Sequence, residues 1–136
     1  MPLPRKFLAN FEEEKFYHVI CKSIDGRKLF LNDENRRYFL KRFHQFTKNF
    51  IEIYAWSLLD NHAHFLVRTA NAVEIIRHLK KLPASSLTLT HKRFISNDCP
   101  FHELIEQQFN RLFIAYTLSL NKMYKVNGHL FNRPFR

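Results

Sequence analysis

Two glycines in 136 residues leave this chain little of the backbone freedom that flexible loops draw on, and point to helices and strands joined closely. Two cysteines, Cys21 and Cys99, make neither a disulfide framework nor a zinc-spaced cluster. Cys21 falls in an apolar run and reads as a small buried residue. No segment approaches the roughly 20 consecutive apolar residues that a membrane span requires. Arg5 and Lys6 are not followed by the apolar stretch of a signal peptide, so a cytoplasmic protein is expected. Acidic residues are also scarce, with 12 Asp and Glu against 22 Lys and Arg, a formal charge of +10. That excess points to a polyanionic partner, nucleic acid being the commonest, or to a merely basic soluble surface.

Apolar residues make up 46% of the chain and 15 are phenylalanine, enough for a sizeable core in a single domain spanning residues 1–136. The most informative stretch is 51–69, IEIYAWSLLDNHAHFLVRT. Two runs rich in β-branched and aromatic residues, 51–59 and 62–69, flank Asp60-Asn61, a pair suited to a tight turn, and predict a β-hairpin. Successive strand side chains point to opposite faces, so His62, His64 and Leu66 share one face while Ala63, Phe65 and Val67 share the other. The apolar set anchors the strand and leaves two adjacent imidazoles able to reach one divalent cation. The alternative is a strand with two half-buried histidines satisfied by neighbouring groups.

Elsewhere the pattern predicts a first strand over 16–23, a turn at Asp25-Gly26, and a short extended piece over 28–31. Asn32-Asp33 starts an amphipathic helix to about Asn49, with Tyr38, Phe39, Phe43 and Phe46 on its packed face and Arg36, Arg37, Lys41 and Arg42 largely opposite. A second helix runs from Ala72 to about Leu82 with Val73, Ile76 and Leu79 to Leu82 inward, ended by Pro83. Residues 83–100 are ambiguous: Leu87 to Thr90 alternate like a strand, Ser85-Ser86 caps a helical turn equally well, and the segment reads as a DNA-contacting loop or a plain connector. A long helix from Phe101 or His102 to about Tyr124 carries Leu104, Ile105, Phe109, Leu112, Phe113, Tyr116, Leu120 and Met123 in one stripe, closed by Asn127-Gly128. Residues 129–135 read as a last strand joining the sheet. The order of these elements is that of an α+β sandwich of ferredoxin-like character, a central antiparallel sheet with helices packed on it.

The His-hydrophobic-His strand after a Leu-Leu-Asp-Asn turn resembles the HUH signature of single-tyrosine DNA transposases, more narrowly the insertion-sequence and REP-associated tyrosine transposase group. Phe16-Tyr17-His18-Val19-Ile20-Cys21-Lys22, the hairpin from Tyr54 to Val67, and the block from Asn121 to Phe135 with Gly128-His129-Leu130-Phe131 carry the resemblance, in the group's order. It implies an HUH domain that binds single-stranded or hairpin DNA, cuts it through a phosphotyrosine intermediate, and uses Mg²⁺ or Mn²⁺ held by His62 and His64. The resembling proteins include dimers and monomers, so a homodimer is one expectation for this chain.

A phenol of pKa about 10 is a weak nucleophile at neutral pH and needs a cation or base beside it. The resemblance places that tyrosine beyond Arg136, on a helix carrying a Tyr-Ile-x-x-Asn type motif. Within the chain, Tyr116 is the fallback, but Asn121 lies five residues on, roughly 140° further round a helix, and Tyr116 falls in an apolar stripe that reads as core. A non-catalytic nucleic-acid-binding module of the same fold is the alternative, and a hydrolase using water as nucleophile a third reading. Phosphate contacts are expected from Lys80, Lys81, Arg93, Arg111 and Arg133, which lie in basic clusters or in the matched end block.

Overall fold

In the computed structural model the described residues are 10–132. Strand β1 spans Phe16–Lys22, helix α1 Asp33–Thr47, strands β2 and β3 Ile51–Leu58 and His62–Thr69, and helices α2, α3 and α4 Ala72–Lys80, Leu89–Ile95 and Phe101–Tyr124. The expected class is the one observed. An antiparallel three-stranded sheet of order β1-β3-β2 has four helices packed on it.

The hairpin forms because the chain reverses tightly at Asp60-Asn61, where the Leu59 N–H donates to the His62 carbonyl at 2.9 Å. Two other segments pin the turn. The Leu29 and Phe30 N–H groups both donate to the Asp60 carbonyl, at 2.7 and 3.2 Å, and the Arg36 guanidinium of α1 meets the Asp60 carboxylate at 2.7 Å. The piece over 28–31 is therefore a strap across the turn rather than a strand, with Leu29 and Phe30 in the core and Lys28 and Leu31 exposed. A bulge between Ile53 and Ala55 interrupts the β2–β3 register, and a bulge of this kind bends and twists the edge strand.

Alternation decides which face of the sheet is covered. Val19, Cys21, Ala63, Phe65 and Val67 are all buried, and their strand neighbours Phe16, His18 and Leu66 are exposed. All the helices thus lie against one face. Phe39 and Phe43 of α1 press on Phe65, the Phe43 and Phe65 rings stacking at 4.0 Å between centroids, and Phe109 of α4 meets Phe43 edge-on at 5.7 Å. Such offset and edge-to-face ring pairs contribute beyond the area they bury.

Several expectations are corrected. In α2 it is Ile75 that is fully buried and Val73 that is 65% exposed, because the helix turns its Ile75–Leu79 line to the core. Residues 83–100 form no strand. After a 3-10 turn at Ala84–Ser86, Thr88 caps α3 by accepting from the His91 N–H, while His91 Nδ1 accepts from the Thr88 N–H, both at 3.1 Å. Met123 at the far end of α4 is exposed, and the residue that ends α4 in the left-handed region is Lys125 rather than Gly128. The last strand is reduced to one antiparallel bridge, Ser23 to Phe131, flanked by bonds from the Ile24 N–H to Leu130 and from the Asn132 N–H to Lys22. These lie on the edge of β1 away from β3, and the residues that could extend the pairing, 133–135, are outside the described residues. No helix among the described residues is long and apolar enough to cross a membrane.

Candidate metal centre on the open face of the sheet

His62 and His64 sit on the middle strand of the sheet, on the face that the helices leave uncovered. The anchoring follows from the sequence alternation: Ala63 and Phe65, between and beside them, are fully buried on the helix side. The two imidazoles stand edge-to-face at 4.9 Å between centroids. His62 Nδ1 lies 2.8 Å from Asn61 Oδ1. With Nδ1 as the donor, that bond sets the tautomer and frees Nε2 as a lone-pair donor.

A third imidazole joins them. In the β1–β3 register His18 pairs with Leu66 and Ile20 with His64, which places His18 diagonally beside His64 on the same face. Their rings stack at 5.0 Å, and His18 Nε2 and His64 Nδ1 share a hydrogen bond of 2.9 Å. His64 has its pKa lowered, first by burial and then by the nearby His62, His18 and Lys22 groups, so it is held neutral and able to ligate at neutral pH. The donor set, three imidazoles on an open face, fits a divalent cation. As the side chains stand, however, no three His, Cys, Asp or Glu groups among the described residues are arranged to hold a metal ion. The His18 and His64 nitrogens face each other instead.

The charge on this face comes from residues that no local sequence pattern marks. Lys22 pairs across from His62, and Arg68 pairs across from Phe16, with its guanidinium 6.0 Å from the Phe16 ring centre, on one side and from the exposed Glu52 on the other. Phe16 and Tyr54 are more than half exposed and meet edge-to-face at 5.1 Å.

The basic residues expected to contact phosphate are placed elsewhere. Lys80 and Lys81 close α2, Arg93 is on α3 and Arg111 on α4, all in the helical layer behind the sheet. Arg93 is engaged with Asp98, through the carboxylate at 3.5 Å and the carbonyl at 2.9 Å, and Arg111 lies 5.1 Å over the Phe46 ring, half-buried, with its pKa lowered by burial. Arg133 is outside the described residues. The structure therefore does not bring the four described members of this set, Lys80, Lys81, Arg93 and Arg111, together with His62 and His64.

Tyr116 is buried on the helix side with Phe39 and Phe131 around it, and its hydroxyl donates to the Leu29 carbonyl at 2.5 Å. Burial pushes its pKa well above that of a free phenol. Both effects, and the intervening sheet, remove it as a nucleophile for chemistry at the imidazoles. Of the chain's five tyrosines, Tyr17 has the parity of the core face, Tyr38 and Tyr124 sit among the helices, and Tyr54 alone stands on the open face.

No family model matches the chain, and no curated protein is similar enough to match it.

Proposed function

We propose that the open face of the sheet is a metal-dependent site for single-stranded or hairpin DNA, of the kind the HUH transposase resemblance implies. The observation that carries this reading is the placement of His62 and His64 side by side on the middle strand, on the helix-free face, with Lys22 across from His62 and Arg68 further along the same strand face. A divalent ion held there, Mg²⁺ or Mn²⁺ in the resembling proteins, would polarise a phosphodiester and offset charge on its leaving oxygen.

The chain's own groups divide the remaining work. His62 and His64 present ring nitrogens, the first oriented by Asn61 and the second with its pKa lowered by burial. Lys22 and Arg68 supply phosphate contacts. The exposed rings of Phe16 and Tyr54 offer unpaired bases a surface on which to stack, a contact of about 1–3 kcal/mol per base that duplex DNA cannot make. In the complete reaction a tyrosine hydroxyl attacks the phosphorus, a phosphotyrosine ester forms, and the 3′-hydroxyl leaves. The placement of Tyr116 favours a second reading, binding without cleavage, unless Tyr54, or the tyrosine that the resemblance places beyond Arg136, attacks.

Fluorescence anisotropy with a labelled hairpin oligonucleotide tests the proposal. Binding is expected to be tighter for the hairpin than for blunt duplex and to strengthen with Mn²⁺. In the Lys22→Gln/Arg68→Gln double variant the slope of log K against log salt should fall by about 1.4, at about 0.7 for each single-strand phosphate that is no longer neutralised. Equal binding of hairpin and duplex, or a double variant with an unchanged slope, would remove the open face as the nucleic-acid site.

A further inference from the structure

We propose that His18 is a third nitrogen ligand of this centre, and that the centre consequently takes a nitrogen-preferring first-row ion, Co²⁺ or Zn²⁺, ahead of Mn²⁺ and well ahead of Mg²⁺. This rests on the reading of His62 and His64 as metal ligands and goes beyond it in both the ligand set and the ion.

Geometry supports the third ligand. Two nitrogens bound to one ion at about 2.0–2.1 Å stand about 3 Å apart, and the His18–His64 nitrogen pair is already at 2.9 Å. What keeps these groups from pointing at a common centre is ring orientation. The two rings lie nearly parallel, at 20°, and His62 stands at 79° to His64. Rotation about the ring torsion is broad and roughly two-fold, and His18 is exposed, with the His64 ring stacked on it as a partner that would turn with it. Binding then exchanges one imidazole–imidazole hydrogen bond for two metal–nitrogen bonds.

The chemistry of the set supports the choice of ion. The hydrogen-bond partners of the three rings are one another and Asn61, and none is bonded to a carboxylate. Imidazole suits zinc, cobalt and nickel, whereas magnesium is held by carboxylate, carbonyl and water oxygens. Three neutral ligands also leave both charges of the ion unneutralised and facing solvent, with Lys22 nearby. An anionic phosphate oxygen is the ligand such a centre lacks, and it would fill an open position of the kind that catalytic three-nitrogen zinc sites keep.

Titration of the full chain with Co²⁺, followed through its visible ligand-field absorption, tests the assignment, with circular dichroism to establish that each variant is folded. Wild-type chain is expected to develop the band, His18→Ala to bind at least about tenfold more weakly, an effect that even outer-shell partners reach, and His64→Ala to lose it. Equimolar Zn²⁺ should erase the band and equimolar Mg²⁺ should leave it. A His18→Ala titration that overlays wild type while His64→Ala is weak would overturn the third ligand and leave the His62–His64 pair standing. Titrations that overlay for all three chains, or a wild type that develops no band, would overturn the proposal and the pair together. Displacement by equimolar Mg²⁺ would overturn the choice of ion.

Discussion

Replacing Phe65 by alanine should lower the unfolding free energy by about 3–5 kcal/mol, the usual cost of emptying a buried phenylalanine site. Phe65 is fully buried, stacks on Phe43 and lies within 6.1 Å of the Phe39 ring centre, so its removal opens a cavity between β3 and α1 that these rings cannot all collapse into. A domain of this size has about 5–15 kcal/mol of stability in total. The variant should therefore unfold at a much lower urea midpoint with little change in slope. Phe65 is also the neighbour of His64, so its anchoring is what holds the imidazoles outward. A destabilisation under about 1 kcal/mol would mean that β3 is not seated on α1.

Replacing both His62 and His64 by alanine should abolish the Mn²⁺-dependent gain in affinity for a hairpin oligonucleotide while leaving the metal-independent binding and the urea midpoint nearly unchanged. Neither ring is in the core, and their partners are Asn61 and His18 rather than buried groups. A charge-assisted phosphate contact is worth about 1.5–3 kcal/mol, so the metal-dependent part amounts to about 10- to 150-fold in Kd. Anisotropy with and without the ion measures it. A double variant that keeps the metal response would place the ion elsewhere.

The parts of this molecule that are legible in the sequence are those governed by a single local period. The hairpin, its turn and the outward face of His62 and His64 follow from two-residue alternation with Ala63, Phe65 and Val67, all of which are buried. Helices α1 and α4 follow from aromatic and aliphatic residues at three- and four-residue spacing. In contrast, His18 cannot be placed beside His64 from the sequence, because that depends on the register between β1 and β3, and a slip of one residue would turn every β1 side chain to the other face. For the same reason nothing local marks Lys22 and Arg68, whereas the conspicuous clusters at Lys80-Lys81 and Arg93 stand out although the fold puts them behind the sheet. Helix α3 is hidden because Leu87 to Thr90 alternate like a strand over four residues, while the cap between Thr88 and His91 uses a histidine where a carboxylate or amide is usual.

The most direct measurement is a ¹H–¹⁵N correlation spectrum of the chain, recorded with substoichiometric Mn²⁺ and then with an unlabelled hairpin oligonucleotide. Paramagnetic broadening centred on His18, Ile20, His62 and His64, and DNA-induced shifts spreading from there to Phe16, Lys22, Tyr54 and Arg68, are the predicted result. Broadening and shifts centred instead on Lys80, Lys81, Arg93 and Arg111 would contradict it, and would move the nucleic-acid surface to the helical layer.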